Sequence, residues 1–448
     1  MKKNKIKKKK NVGMTLVESL IAISLVSMVT MSIYMALGSA VRNMSDSKQR
    51  SGAVALANEQ MEIFRNLDYD KVGIIGGIVE GQIKAHEEVN KNGSIFNIYN
   101  DVRYIDDPFD GQYPNDPINT DFKRVMVKVT WENGGKTKEI TLYSNFVPNG
   151  IETNEGGGTL AINLITSAGE PVGNGTVRIE SVDDDPRINY QTNTDELGNL
   201  VLPGVPAQRY RITVTKDGYE TVRTYPNPPD SPFIPIEQDY LVVEDYLNMK
   251  TFFIDKSADI TVRTVNVADD GGIDGIGVSI SGGRLIGSNP TTYNFEENDV
   301  SDSSGEIHYS GVSPGVYDIS NLDDLNTDDY QYLGSSEPIP FSVNGDEERV
   351  VSLLFARKNI DSLVVHVTDD DELPIEGASV RLFNNGGFDQ TVETEIGGIA
   401  FFPIPTDPPT EMVAGDYQLE VSKDGFRSES TNVEINDLTQ KDVTLEAL

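Results

Sequence analysis

The feature that most restricts this chain is an apolar run near its N-terminus. From Ser19 to Val41 there are 23 residues without a formal charge, between Glu18 and Arg42. A helix rises ~1.5 Å per residue, so the run would extend about 35 Å, enough to cross the hydrocarbon core of a bilayer. Seven lysines lie between Lys2 and Lys10, and the positive-inside rule keeps such a segment in the cytoplasm. The run therefore predicts one membrane-spanning helix with the bulk of the chain outside the cell.

Glu18 distinguishes this run from an ordinary anchor, because a carboxylate inside a transmembrane helix is costly unless it has a partner. A secretory signal peptide would be cleaved near Gly38, Ser39 and Ala40. Signal peptides have apolar regions of about 7–15 residues, and this run is longer. A plain single-pass anchor remains an alternative, but it leaves the acid unexplained.

The residues around Gly13 resemble the type IV prepilin signal. A basic leader ends at Gly13, Met14 follows, and Glu18 becomes the fifth residue of the mature chain. The resemblance implies that a membrane prepilin peptidase cleaves between Gly13 and Met14 and methylates the new amine. It also implies that Glu18 neutralises the N-terminal amine of a neighbouring pilin subunit. Met14 replaces the commoner Phe and no proline interrupts the helix, so the chain is more similar to a minor pilin or pseudopilin than to a major pilin.

The helix is predicted to continue beyond the membrane over 14–67, after a leader peptide at 1–13. No proline occurs in that range. The polar stretch at 45–52 is a poor helix former, which leaves open an anchor helix that ends at Val41 and a separate short helix after it. Apolar residues recur there at three- and four-residue steps and predict one buried face: Ala53, Leu56, Ala57, Met61 and Phe64.

A head domain is predicted over 68–152. Apolar residues alternate with polar ones from Val125 to Trp131, and again from Ile140 to Phe146, with the turn residues Asn133, Gly134 and Gly135 between the two runs. This pattern predicts an antiparallel hairpin with one face toward the helix. The segment around it resembles the heads of minor pilins.

Five aspartates crowd one stretch of the predicted head. Some pseudopilins bind calcium in such loops through oxygen ligands, but the spacing here matches no ordered ligand pattern. We interpret the stretch as a solvated turn and assign no metal site, while calcium binding by the first three aspartates stays open. The residues are Asp106, Asp107, Asp110, Asp116 and Asp121.

A linker at 153–158 separates the head from three similar segments at 159–256, 257–358 and 359–448. In each, a strand, a turn and a second strand precede an acid-x-x-Gly turn and a strand that ends at a tyrosine. Glycine permits the tight turn, and the tyrosine ring packs while its hydroxyl reaches a polar group. The acids are Asp195, Asp302 and Glu395, the glycines are Gly198, Gly305 and Gly398, and the tyrosines are Tyr210, Tyr317 and Tyr417.

These segments resemble carboxypeptidase-regulatory-like or transthyretin-like modules and, more distantly, the Cna B-type repeats of Gram-positive surface proteins. The resemblance implies that each is a small β-sandwich. The predicted fold class is therefore an α+β pilin, with a long N-terminal helix and an antiparallel sheet head, followed by three all-β Ig-like or transthyretin-like sandwiches.

Charge and residue types exclude several functions. The formal charge is −34 and the leader carries +7, so the chain after the leader carries −41, which disfavours nucleic acid as a partner. There are no cysteines. The three histidines, His86, His308 and His366, fall in three predicted domains, and no serine lies in a nucleophile motif. We expect no enzyme, no catalytic residue and no cofactor.

The sequence therefore predicts a minor type IV pilin, anchored in the cytoplasmic membrane and then placed sparsely or at the tip of a pilus. Its expected partners are prepilin peptidase, other pilin subunits and an extracellular surface ligand contacted by the sandwiches. The alternatives are a pseudopilin of a type II secretion or DNA-uptake machine, and a membrane-anchored surface stalk with no role in a filament.

Overall fold

The structure is a computed structural model. It describes residues 16–91, 93–105, 120–148, 157–183, 186–395, 397–404 and 411–448. The predicted cleavage residues Gly13 and Met14 lie outside these ranges, as do linker residues 153–156 and, of the aspartate cluster, Asp106, Asp107, Asp110 and Asp116. The chain forms two compact units that divide near Gly157.

One α-helix, α1, spans Leu16–Arg65. Its 50 residues correspond to a length of about 75 Å. The polar stretch at 45–52 is helical, so the alternative in which the anchor helix ends at Val41 is wrong. Tertiary packing outweighs weak helix propensity here. All five residues predicted for the apolar face are buried, together with Gln60. At the C-terminal end, the Asn66 side chain donates to the Glu62 carbonyl at 2.8 Å.

The helix packs on a four-stranded antiparallel sheet with strand order β1-β2-β3-β4. In the predicted hairpin, Gly134 and Gly135 both have positive φ and join β3 to β4 in a two-residue turn, as a type I′ turn requires. From Val125 to Trp131 the alternate residues are buried, as predicted. The strands are β1 (His86–Lys91), β2 (Ser94–Ile105), β3 (Phe122–Asn133) and β4 (Lys136–Phe146).

Ile140, Leu142 and Phe146 alternate on β4 as predicted, but they are only half-buried. The reason is that β4 is an edge strand. Where α1 meets the sheet, a Cβ on Gly52 would lie 3.3 Å from the Phe96 ring. The Phe96 ring in turn lies 6.3 Å from that of Trp131. The small glycine thus lets the helix approach the aromatic layer of the head.

Residues 158–253 form a three-stranded and a five-stranded sheet. The first has the order β13-β5-β8, and the second has the order β10-β9-β6-β7 with β12 paired to β9. The strands are β5 (Gly158–Ile165), β6 (Thr176–Ser181), β7 (Asn189–Asn193), β8 (Asn199–Val205), β9 (Arg209–Thr215), β10 (Val222–Arg223), β11 (Ile234–Pro235), β12 (Tyr240–Leu241) and β13 (Leu247–Phe253).

Residues 258–357 form one five-stranded sheet and supply four strands of a second, whose fifth strand is β11. Ile260 and Val262 from one sheet share a core with Val278 and Ile280 from the other, so the sheets pack face to face. The strands are β14 (Ala258–Asn266), β15 (Gly271–Gly272), β16 (Gly277–Ser288), β17 (Thr292–Val300), β18 (Glu306–Val312), β19 (Gly315–Ser320), β20 (Tyr330–Ser335), β21 (Phe341–Val343) and β22 (Glu348–Arg357).

Residues 362–444 form a three-stranded and a four-stranded sheet, ordered β26-β23-β29 and β25-β24-β27-β28. Leu363 and Val365 share a core with Val380 and Leu419. The strands are β23 (Ser362–Thr368), β24 (Ser379–Phe383), β25 (Asp389–Glu393), β26 (Ile399–Phe402), β27 (Gly415–Ser422), β28 (Glu429–Ile435) and β29 (Leu438–Thr444).

The same closing pattern occurs three times. The opening strand pairs in parallel with the last strand of its segment, as β5 with β13, β14 with β22, and β23 with β29. The closing strand of the second segment, β22, ends at Arg357, and that of the third, β29, ends at Thr444. The closing strand of the first segment, β13, ends at Phe253.

Candidate functional site

The acid-x-x-Gly turns form as predicted. Asp302 Oδ1 accepts hydrogen bonds from the backbone N–H groups of Ser304 (2.8 Å) and Glu306 (3.0 Å). These two bonds lower the pKa of Asp302 below its usual value, and the bond from Glu306 has the larger effect. Gly305 N–H donates to the Asp302 carbonyl at 2.8 Å. The same backbone bond closes the turns at Gly198 (3.2 Å) and Gly398 (2.9 Å).

Each turn is fastened to the opening strand of its segment. In the second segment, Thr264 N–H donates to the Gly305 carbonyl at 2.7 Å, and the Thr264 carbonyl accepts from Ile273 N–H at 2.9 Å. The equivalent bonds join Leu164 to Gly198 (2.8 Å) and Val172 (2.9 Å), and Val367 to Gly398 (2.8 Å) and Ile375 (2.9 Å). The three segments therefore share one backbone junction, although their sequences differ.

The three repeated tyrosines are buried, as predicted. Tyr317 donates its hydroxyl hydrogen to the Ser313 carbonyl at 2.6 Å, and Tyr417 donates to the Val413 carbonyl at 2.9 Å. The Tyr210 hydroxyl accepts from Gln208 Nε2 at 3.1 Å. Each ring therefore packs in the core while its hydroxyl has a polar partner.

We expect Tyr317→Phe to lower the free energy of unfolding near neutral pH by about 1 kcal/mol, because one buried hydrogen bond is lost. Burial raises the pKa of the Tyr317 phenol, so the folded state favours the neutral form. Stability from this group is complete below the unfolded pKa of about 10 and declines as pH rises above it. Urea unfolding measured from pH 8 upward should show that the free energy of unfolding falls less with rising pH in the variant than in the wild-type protein. The exposed Tyr293→Phe is the control, and an equal alkaline loss in all three proteins would contradict the assignment.

The N-terminal part of α1 presents apolar side chains on all sides. It is long and apolar enough to cross a membrane. Glu18 lies in its first described turn. Hydroxyl groups in this part donate to backbone carbonyls three or four residues earlier, which satisfies them without water. These residues are Ser24, Ser27, Thr30 and Ser32.

An ion pair that was not predicted from the sequence joins the first and second segments. Glu220 is 2% exposed. Its carboxylate accepts from Arg284 Nε at 2.9 Å, from Arg284 Nη2, and from Asp255 N–H at 3.1 Å. Burial works against the charged guanidinium, but the hydrogen bond and charge of Glu220 outweigh it and raise the pKa of Arg284. In the sequence both residues resemble ordinary surface charges, because the two partners are 64 positions apart.

A strap from the first segment strengthens this junction. This strap is the proline-rich loop between Tyr225 and Pro235, and it contains β11, which pairs antiparallel with the end of β16 in the second segment. Ile236 N–H donates to the Ile286 carbonyl at 3.0 Å. A Cβ on Gly287 would lie 2.1 Å from the Phe233 ring, so that position requires glycine.

The second and third segments meet through apolar contacts. Leu333 and Ala356 from the second segment form one buried cluster with Val364 and Ile399 from the third. A cleft of about 490 Å³ opens beside it, lined in part by Asp270, Glu376 and Glu395. In the ranges that the structure describes, no group of three His, Cys, Asp or Glu side chains is arranged to hold a metal ion.

The histidines lie on separate strands. His86 Nε2 is 3.2 Å from Asn97 Oδ1, and His308 Nδ1 is 3.0 Å from Thr261 Oγ1. Burial lowers the pKa of His366 on β23, although the charge of Asp442 opposes this. These contacts are local and structural. That the chain is not an enzyme remains a prediction.

Residues 159–232 match the family model of the carboxypeptidase regulatory-like domain. The resemblance drawn from the sequence is thereby supported for this part of the first segment, and for the other two segments it remains a prediction. No curated protein matches the chain.

Three solved structures illustrate what the chain is similar to. The Bacillus anthracis TIE protein is 12% identical with a TM-score of 0.20, over 81% of this chain and 73% of that one. A streptococcal ancillary pilin is 11% identical with a TM-score of 0.19, over 65% and 98%. The minor pilin GBS52 of Streptococcus agalactiae is 12% identical with a TM-score of 0.17, over 43% and 97%. Similarities this low assign no function.

Proposed function

We propose that this protein is a membrane-anchored, minor type IV pilin-like subunit that displays β-sandwich modules on the cell surface. The observation that supports this most is the continuous helix α1. Its first half is exposed and apolar, and from Ala53 to Phe64 the same helix buries one face against the head. A helix built in this way can stay in a membrane and later pack against the helices of other subunits.

The display part of the proposal consists of three sandwich modules, at 159–256, 257–358 and 359–448. It is supported by the repeated junction of opening strand, acid-x-x-Gly turn and parallel closing strand. A subunit with about 300 additional residues would crowd a filament in which every copy carried them. The protein is therefore sparse in the pilus or located at its tip, where the modules contact an extracellular ligand.

Glu18→Ala should prevent entry into filaments while the protein still reaches the membrane. In the proposed filament, Glu18 pairs with the methylated amine of Met14 in a neighbouring subunit, and loss of one partner of a buried ion pair costs about 3–5 kcal/mol. The filament-bound fraction, measured by immunoblotting of sheared pili, should fall more than about tenfold. Glu62→Ala is the matched control, because Glu62 is an exposed acid on the same helix. Equal loss in both variants would refute the pairing.

N-terminal sequencing of the mature protein tests processing, and immunogold labelling tests placement. The proposal requires a chain that begins with methylated Met14 and label that is sparse or terminal on filaments. An intact leader with no label on any filament would instead support the surface stalk. Even labelling along every filament would contradict the tip or sparse placement.

A further inference from the structure

Basic residues gather where α1 leaves its exposed apolar half. The large exposed apolar side chains of this half end at Met44. Over the next six residues Asp46 is the single acid, in a chain whose formal charge is −34. Two hairpins of the head add lysines at the same level. We call this set the basic collar: Arg42, Lys48, Arg50, Lys91, Lys136 and Lys138.

Hydrogen bonds fix both hairpins at this level of the helix. At the β1–β2 hairpin, Gln49 Nε2 donates to Ser94 Oγ at 3.1 Å. At the β3–β4 hairpin, Asn133 Nδ2 donates to Asp46 Oδ1 at 2.8 Å, and Lys138 pairs with the same oxygen. The membrane-proximal rim of the head is therefore built from two hairpin ends that rest on residues 46–49.

The collar coincides with the depth of lipid headgroups. If Met44 marks the edge of the hydrocarbon core, Gln49 lies about 7 Å beyond it along the helix axis. The headgroup layer of each leaflet is about 5–7 Å thick. Phosphodiesters of the outer leaflet would therefore lie beside residues 45–49.

A small pocket of about 120 Å³ opens within the collar, between α1 and the β1–β2 hairpin. Its chemistry suits a phosphodiester, since it offers two ammonium groups and two hydroxyls. Gln49 Oε1 is buried there without a hydrogen-bond partner. A rotation of this amide would let Ser94 donate to Oε1 and would turn the NH₂ group toward the pocket. The lining residues are Ser45, Lys48, Gln49, Gly52, Lys91, Ser94 and Phe96.

Existing ion pairs leave much of the collar charge available. Asp46 neutralises Lys138. Lys91 lies 3.5 Å from Glu59, with the two side chains 39% and 66% exposed, so solvent weakens this pair. In the described part of the chain, no ion pair involves Lys48 or Lys136, whereas Arg50, after the larger effect of Lys138, helps to lower the pKa of Asp46.

We propose that the basic collar binds the phosphodiester headgroup of an anionic phospholipid while the protein resides in the membrane. This rests on the membrane-spanning part of the proposed function and does not require a filament. Each Lys or Arg near an anionic membrane surface strengthens attraction severalfold, and the effect weakens within a Debye length. The collar would hold the head upright on an anionic leaflet, although the rest of the chain is acidic and repelled by it.

The test uses the full-length chain in mild detergent with equal parts of phosphatidylglycerol and phosphatidylcholine, and native mass spectrometry to count the lipids retained. The wild-type protein should retain phosphatidylglycerol preferentially. In Lys48→Gln/Lys91→Gln the preference for phosphatidylglycerol should fall at least about fivefold, because one lysine near an anionic surface contributes about that factor to binding. The matched control, Lys84→Gln/Lys441→Gln, removes two lysines outside the collar and should behave as wild type.

Unchanged preference in the collar variant, or no preference in the wild-type protein, would overturn the proposal. Thermal unfolding of both variants should match wild type, because the substituted side chains are not buried. Inorganic phosphate is the further competitor. If it displaces phosphatidylglycerol at equal concentration, the pocket is a phosphate site and the lipid assignment is wrong. Failure here leaves the pilin proposal intact, whereas an uncleaved leader with normal lipid preference would count against the pilin proposal alone.

Discussion

Gly305→Ala should destabilise the second segment by about 2–5 kcal/mol. Gly305 has a φ of +75°, and a side chain in this left-handed region costs about 1–2 kcal/mol. An added Cβ would also lie 2.6 Å from the Thr264 carbonyl oxygen and 2.6 Å from the Gly272 Cα. Both are backbone atoms of the junction between turn and opening strand, so relief requires that the strands separate. Overpacking of this kind typically adds a further 1–3 kcal/mol.

Gly311→Ala provides the matched control. Gly311 lies in the same segment with a φ of +70°, but a Cβ there would meet nothing within 4 Å. We therefore expect only the conformational cost of about 1–2 kcal/mol. Because a chain of several modules need not unfold in one step, the measurement is hydrogen exchange of peptides from 258–357, followed by mass spectrometry. Equal protection in the two variants would mean that the turn tolerates a Cβ.

The turns and the helix face were predictable because their determinants are local. An acid three residues before a glycine specifies one tight turn, in which the carboxylate accepts nearby backbone N–H groups. The apolar steps from Ala53 to Phe64 and the alternation from Val125 to Trp131 each report one buried face. Such patterns need no knowledge of the partner element.

The alternative in which the helix ends at Val41 is wrong, because it rests on helix propensity at 45–52 alone. There the head supplies what the local sequence lacks, through Asp46, Gln49 and Gly52. The parallel pairing of β5 with β13 could not be predicted from the sequence either. Its first pair, Thr159 with Leu247, joins residues far apart in the sequence, and no local signal specifies which distant strand closes a sheet.

The collar and the Glu220–Arg284 pair depend on long-range placement as well. Lys91 and Lys136 lie at the turns of the two head hairpins, and only the packing of these hairpins against α1 brings them to the level of Lys48. A charged residue next to a turn, such as Glu220 after Gly218, is on average solvated. Glu220 is buried because the second segment packs against it, and this packing cannot be predicted from local sequence.

Glu220→Ala should weaken the junction between the first and second segments by about 3–5 kcal/mol, the usual result of removing one partner from a buried ion pair. The substitution leaves the Arg284 guanidinium with the Phe253 carbonyl, 3.0 Å from Nη2, and removes the acceptor of Asp255 N–H. The β11 strap would remain, so the segments stay connected while the junction opens. Exchange protection should therefore fall on β11 and on the end of β16 before it falls in either core.

Two further variants separate loss of the pair from loss of packing. Glu220→Leu combined with Arg284→Met replaces both charges by apolar groups of similar size, and such replacements of a buried pair are often close to neutral. We expect the double variant to recover most of the protection that Glu220→Ala loses. Asp346→Asn is the exposed control, because the Lys256–Asp346 pair has side chains 51% and 71% exposed and its loss should change protection little. If Asp346→Asn and Glu220→Ala had equal effects, burial would not be what makes the Glu220–Arg284 pair strong.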